Sequence, residues 1–515
     1  MKISEERRME GKLTSGLNSR APDRGYLLGV DIGASSCKAI VFDADRNAKA
    51  RAQKEYSRDY PHPGWVELDA GSWWSAVATV IKQSIENSSI PTEQIRSVGV
   101  SAETDGILAV GENGAPLRPY IHWLDTRCIE EHKQLQRQGR LEDVYETTGI
   151  PVQGGYDFPA LKMQWIQKNE PATYQRTHKF LSIGTFMLYK LTGKFIADRS
   201  TASRSLLYDI RSQKWSTELS ELFGIPVAKQ PEVRRSAEQA GSVTAQAARE
   251  TGLSTKTIVV AGGGDTECSA LGAGVVKQNQ ALISIGTSLM VAVPITKPLT
   301  IPMSQETRLF GTGSVCTSHV VDDMWILEVG APVGGAMLAW FDRELGQAER
   351  KLAAELDVPS YDILNIEAEK SRPGPESPIF AAPVGAILYL RNDHKRSDLI
   401  RSILEGVAFE AREVLEVFEK HGLDARELIM VGGGAKSGTW RQIMSDVTGK
   451  PVKSPYMQET GALGAATLAG IGAGLFKGFT PPETGRYADS SPRDDVDATY
   501  SMLFEKYKRS YKALG

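Results

Sequence analysis

The chain has 515 residues, a formal net charge of −3 and 41 % hydrophobic residues. That length exceeds what one core usually supports, so two domains are expected, and nothing in the composition marks a fibrous, disordered or membrane-bound chain. The near-neutral balance argues against nucleic acid as a partner, because binding a phosphate backbone needs concentrated Lys and Arg.

The four cysteines, Cys37, Cys128, Cys268 and Cys316, are far apart and form no C-x-x-C. Such spacing is neither a disulfide framework nor a zinc site, and it fits a reducing cytoplasm. Residues 1–24 are polar and charged without an apolar h-region, so they read as a flexible leader and not as a secretory signal. The segment Thr460 to Phe476 is rich in Gly and Ala and is too short and weakly apolar for a membrane span.

From Tyr26, YLLGVDIGASSCKAIVF reads as strand, Gly turn, strand, with a polar turn at Asp45 to Asn47. Asp69 or Ser72 then offers a cap for a helix carrying Trp73, Val77, Val80 and Ile81 on one face. IRSVGVSAE is another buried strand. TIVVAGGGDTECSALGAG is strand, Gly-rich turn and helix start, and QALISIGTSLMVAV repeats the strand–turn–strand plan seen around Gly33. Leu399 to Phe418 has helical periodicity, and ELIMVGGGAKSGTW is a strand with a Gly triplet leading into a helix. Short strands alternating with helices predict an α/β protein. The expected division is 25–270 and 271–515, with a ligand cleft between the two parts.

Three Gly-rich turns, each fed by a strand, carry the chemistry. Turns without bulky side chains let backbone N–H groups converge on an anion. Gly33 to Ser36 adds two hydroxyls, with Asp31 beside it as a candidate Mg²⁺ ligand, since magnesium takes one or two carboxylates and keeps several waters. Gly286-Thr287-Ser288 is a second clamp, and Gly432-Gly433-Gly434 offers flat backbone for an adenine ring or phosphates. The bland alternatives are ordinary hairpins, a turn-capping Asp31 and an Asp265 that only caps the helix after it. No P-loop or Rossmann fingerprint is present.

GVDIGASSCKAIVFD, GWVELDAGSWW, HWLDTR, VVAGGGDTECSALGAGVV, ISIGTS and VGGGAKSGTWRQIMSDVTGKPV, in this order, resemble the FGGY carbohydrate kinases from about Tyr26 to about Phe476. Among members of that family the chain is most similar to xylulokinases, through PHPGWVE, WLDTRC and GGGD. The resemblance implies two ribonuclease H-like domains of the actin and hexokinase superfamily and ATP-dependent, Mg²⁺-assisted phosphorylation of a small sugar or polyol. A pentulose such as xylulose comes first, with ribulose, erythritol, gluconate or a signalling furanose as alternatives. A non-catalytic nucleotide-binding regulator is the reading from another class, and a homodimer is compatible with the family.

The resemblance makes Asp265 the catalytic base. It places Thr104, Asp105, Trp123, Asp125, Arg127 and Thr266 at the acceptor, and Gly33, Ser35, Ser36, Lys38, Gly286, Thr287, Ser288, Gly335, Gly433, Gly434 and Gly438 at ATP. Glu103 is expected to point away from Asp105. Thr104-Asp105 stands where xylulokinases carry Met-His and glycerol kinases Arg-Glu, and the family's Gly-Glu-Arg-Thr-Pro loop is replaced around FAAPVGAILYLRN.

Overall fold

A computed structural model describes residues 25–152, 158–301, 313–331, 333–381, 385–479 and 487–514, and the expected leader lies outside them. The apolar runs at the start of the chain form the strands Tyr26–Ile32 and Ser36–Phe42, paired antiparallel through the Gly33 turn. Ala48–Glu55 extends the meander, Ile95–Ala102 joins Tyr26–Ile32 in parallel, Ile258–Val260 joins that strand in parallel, and Gln239–Ser242 closes the edge antiparallel. The helix Ala70–Ser88 covers this sheet. Asp69 caps it by accepting the Ser72 N–H at 2.6 Å, and Trp73, Val77, Val80 and Ile81 are buried.

The second half repeats the plan. Trp325–Ala331, Leu289–Ile295, Gln280–Ile285, Glu427–Val431, Val452–Pro455 and Tyr487–Ser490 lie side by side, and Val315–Ser318 is added outside the first of them. Along both sheets the pairing runs antiparallel, antiparallel, parallel, parallel, antiparallel. The likeness of the Gly33 and Gly286 segments is therefore a likeness of position, since each turn joins the central strand to its hairpin partner. The rebuilt loop, of which residues 382–384 lie outside those described, is flanked by the paired strands Ile379–Ala381 and Ala386–Leu388.

The Gly- and Ala-rich segment is the helix Thr460–Gly472, whose residues from Thr460 to Gly470 are all buried. It follows the second sheet in the chain but lies on the first. A Cβ at Gly29 would sit 1.9 Å from Ala462 O, and one at Gly99 would sit 2.1 Å from Ala465 O. Helix Asp265–Ala273 packs beside it, with Gly464 against Cys268 O, and turns Ala270 and Ala273 toward Leu282, Ala292 and Ile429 of the second sheet. Among the described residues no helix is long and apolar enough to cross a membrane.

The periodic stretch after Leu399 is the helix Arg396–Lys420, packed against the second sheet. Glu410 lies inside that core and accepts the Tyr507 hydroxyl at 2.9 Å. Burial pushes its pKa up to about 8. A raised carboxyl contributes stability that is complete below its unfolded pKa and is lost as pH rises through the folded value. Glu410→Gln is therefore expected to gain roughly 1–3 kcal/mol on the wild type between about pH 6 and about pH 9. Thermal melts across that range check it, and an equal offset at every pH refutes it.

Candidate active site

The first-sheet turn is tightly built. Gly33 N–H donates to Ser36 O at 3.0 Å, and the Tyr56 hydroxyl donates to Gly33 O. Ser35 is exposed and Ser36 half-buried. The Lys38 ammonium meets Glu459 Oε2 at 2.6 Å, at the start of the helix Thr460–Gly472. Asp31, one strand residue before Ile32, accepts the Ser101 hydroxyl at 2.7 Å. Burial is the chief cause of its raised pKa.

At the second sheet the predicted nucleotide residues from three stretches of chain converge. Gly335 N–H donates to Gly286 O at 2.8 Å and Ala336 N–H to Thr287 O at 3.1 Å, so the turn is stapled to the start of the helix Gly335–Leu345. The exposed Gly286, Thr287 and Ser288 leave that turn open to solvent. The Gly triplet lies against the same strand end: a Cβ at Gly432 would sit 2.6 Å from Ile285 O and one at Gly434 would sit 2.7 Å from Ile285 Cγ2. Gly433 is exposed, and Gly438 opens the helix Gly438–Thr448 behind the Ser437 cap.

Asp265 is the first residue of its helix, half-buried, and its Oδ1 accepts the Thr266 N–H at 2.8 Å. This bond to the next N–H uses one carboxyl oxygen of Asp265, and the helix's N-cap is Gly264. Thr266 Oγ1 lies 3.5 Å from Met290 Sδ, two residues beyond Ser288, which brings this helix start to the second-sheet turn. Burial first, then the charge of Asp31, pushes the Asp265 pKa up to about 7.

Asp105 is gripped by Arg204, whose Nε donates to Oδ1 at 2.9 Å and Nη2 to Oδ2 at 2.6 Å. Burial alone would raise the Asp105 pKa, but the guanidinium holds it below the usual carboxylate range. Thr104 Oγ1 donates to the same carboxylate at 3.3 Å, and Lys162 Nζ donates to the Asp105 backbone carbonyl at 2.7 Å. Glu103 corrects the expectation made for it. Residues two apart share a side of an extended chain, and the Glu103 carboxyl, 5 % exposed, lies within the field of both Asp105 and Asp265. It accepts the Tyr120 hydroxyl, and burial pushes its pKa up to about 8.

The HWLDTR stretch behaves differently. Asp125 and Arg127 are buried and bind each other, with Arg127 Nη2 at 2.7 Å from Asp125 Oδ2 and 2.8 Å from Glu67 Oε1. Asp125 Oδ2 also accepts the Val66 N–H at 2.6 Å, and the Arg127 guanidinium lies 3.8 Å from the Trp65 ring centroid. This pair ties its loop to Val66 and Glu67. Trp123 is half-buried, its ring 5.6 Å from that of His122.

Three groups escaped the sequence reading: Arg204, Glu267 and Glu328. Glu328 sits on Trp325–Ala331 and takes Arg204 Nη1 at 2.5 Å. Glu267 follows Asp265 by two residues and accepts the Thr317 hydroxyl at 2.7 Å. A lone Glu inside W-I-L-E-V-G-A was the available signal for Glu328, whereas nothing local marks Arg204.

Two sheets of one topology, each with a Gly turn at its central hairpin and acidic residues between, are the paired ribonuclease H-like domains of the actin and hexokinase superfamily. Residues 26–272 match the FGGY family of carbohydrate kinases, N-terminal domain, and residues 281–473 match its C-terminal domain. The chain is 29 % identical over 497 residues to a xylulose kinase of Staphylococcus epidermidis, covering 94 % of this chain and 96 % of that one. It is 28 % identical over 522 residues to an autoinducer-2 kinase of Yersinia pseudotuberculosis, covering 97 % and 96 %. The crystal structure of a xylulose kinase from Rhodospirillum rubrum superposes with a TM-score of 0.83 at 25 % identity, covering 95 % and 98 %. The chain belongs to the FGGY family of carbohydrate kinases.

Proposed function

We propose that this kinase transfers the γ-phosphoryl group of ATP to a hydroxyl of a small sugar or polyol, with a pentulose such as xylulose first in line. The observation that carries the mechanism is the Asp265 carboxyl at its helix start, with a pKa raised to about 7 by burial and by Asp31. A carboxyl with a pKa near the working pH is substantially ionised there and still basic enough to accept a proton from a hydroxyl. In the step, Asp265 takes the acceptor's O–H proton, the acceptor oxygen bonds to the γ-phosphorus, and the bond from that phosphorus to the β–γ bridging oxygen breaks to release ADP.

The rest is positioning and charge neutralisation. The exposed Gly286–Ser288 turn and the Gly33–Ser36 turn with its two hydroxyls suit phosphate oxygens, and the exposed Gly433 backbone suits the nucleoside. Asp31, half-buried beside the Gly33 turn, would be the residue to hold a magnesium ion, since that ion takes one or two carboxylates. When bound, that ion would supply neutralisation of phosphate charge. Asp105 accepts hydrogen bonds from acceptor hydroxyls.

The xylulose reading leans on relatives of that name and on PHPGWVE and WLDTRC. A second reading, with a signalling molecule as acceptor, leans on the relative named autoinducer-2 kinase. ADP release across a panel of pentuloses, polyols, aldonates and signalling furanoses separates them, and xylulose ranking low overturns the first.

The proton state of Asp265 fixes the pH dependence. Its basic form grows as pH rises through its raised pKa, so log kcat/KM is expected to climb on the acid side with a midpoint near the value of about 7. A profile flat from about pH 5 to about pH 8 would contradict the base assignment.

A further inference from the structure

The short stretch Asp198 to Arg204 belongs to neither main sheet, yet it bonds Asp105, Glu328 and the backbone directly before Asp265. Asp198 caps the helix Arg199–Ser203 through the Ser200 and Thr201 N–H groups. The Ser200 hydroxyl accepts the Gly264 N–H at 2.9 Å, directly before Asp265, and donates to Asp198 Oδ2 at 2.5 Å. The Ser203 hydroxyl lies 3.1 Å from Ser318 Oγ and accepts the Ser318 N–H at 3.1 Å, on the edge of the second sheet. Arg204 ends the stretch. Two of its nitrogens grip the Asp105 carboxylate, and the third reaches Glu328 at 2.5 Å.

We propose that Arg204 is a positioning residue for acceptor specificity: its planar fork fixes the Asp105 carboxylate in one orientation, and Glu328 of the second sheet holds that fork in place. The idea rests on the reading of Asp105 as an acceptor contact. A guanidinium can do this where an ammonium cannot, because only the fork meets both carboxylate oxygens while a third N–H stays free for another partner. The surroundings give the pairing weight. Glu328 is 6 % exposed, and its Oε2 is buried without a hydrogen-bond partner, as is Glu103 Oε2. With unpaired carboxyl oxygens of Glu103 and Glu328 buried nearby and both within its field, an Asp105 released from Arg204 would leave the position in which it meets a hydroxyl.

The test is a double-mutant cycle on the full chain with Mg²⁺ and ATP, using the best acceptor from the panel. Asp105→Asn and Arg204→Lys are each expected to raise the acceptor KM by about tenfold to a hundredfold while the KM for ATP moves less than about twofold. Because Arg204 acts through Asp105, the double variant is expected to be no worse than the poorer single one. Multiplying effects, or an Arg204→Lys acceptor KM within about twofold of wild type, overturn the proposal. Should Arg204→Lys melt too low to assay, Glu328→Gln keeps an oxygen facing Nη1 and loosens only the anchor. A rise of roughly twofold to tenfold in acceptor KM then supports the proposal and an unchanged KM overturns it. If Asp105→Asn alone leaves the acceptor KM unchanged, it is the reading of Asp105 that fails, and the cycle shows this separately.

Discussion

Replacing Asp265 with Asn is expected to lower kcat by about 10²–10⁴-fold, the usual range for a lost general base. The KM for ATP should stay within about twofold, because the groups proposed to face phosphate are the turn backbones and not this side chain. The amide keeps an oxygen for the Thr266 N–H, so the helix start is preserved. It also removes an anion from the neighbourhood of Asp31 and Glu328, both of which disfavour a charged Asp265. The variant should therefore melt at the same temperature as the wild type or higher at pH 8, where the wild-type group is ionised. Loss of turnover with undiminished stability is what separates a base from a structural cap. Full turnover in this variant would sink the mechanism, and a large fall in melting temperature would return Asp265 to the role of a cap. The measurement is initial rates with the best acceptor, paired with calorimetric nucleotide binding and a thermal melt.

Much of this was legible from the chain alone, and the pattern of what was legible is physical. The strands Tyr26–Ile32 and Gln280–Ile285, and the Gly turns after them, follow from apolar runs and from residues within a few positions of each other. The capped helix Ala70–Ser88 is likewise a local matter, settled by Asp69 and the spacing of Trp73, Val77, Val80 and Ile81. The ionic links across the site are not local. Arg204 is 99 positions from Asp105 and 124 from Glu328, and no periodicity connects them. For the same reason the resemblance puts Asp125 and Arg127 at the acceptor, while their burial against Glu67 and Trp65 appears only once the loops are packed. Glu103 lies within the field of Asp105 because residues two apart in an extended chain share a side.

The helix Thr460–Gly472 shows best how a weak sequence signal can carry a large energy, and the second strong prediction concerns it. Its composition suggested only a Gly- and Ala-rich stretch, yet its backbone rests on the first sheet and on its neighbouring helix. The contact is made at Gly29 and Gly99 in the sheet and at Gly272 and Gly464 between the helices, where an added Cβ would lie 1.9–2.1 Å from a carbonyl oxygen. These oxygens belong to backbone, so the clash cannot be relieved by turning a side chain. The helix would have to move, and with it Glu459 beside Lys38 and Gly461 beside Asp31. Gly99→Ala and Gly464→Ala are therefore expected to destabilise the protein by about 2–4 kcal/mol each, at the upper end for overpacking. They should also weaken catalysis in the surviving folded fraction, because the displaced helix start carries the groups around Asp31. Gly433→Ala is the control: nothing lies within 4 Å of a Cβ there, so its melting temperature should match the wild type. Denaturant melts of the three variants decide the matter. If Gly99→Ala and Gly433→Ala were equally stable, the close seat of this helix on the sheet would be wrong, and so would the view that it fixes the Asp31 end of the site.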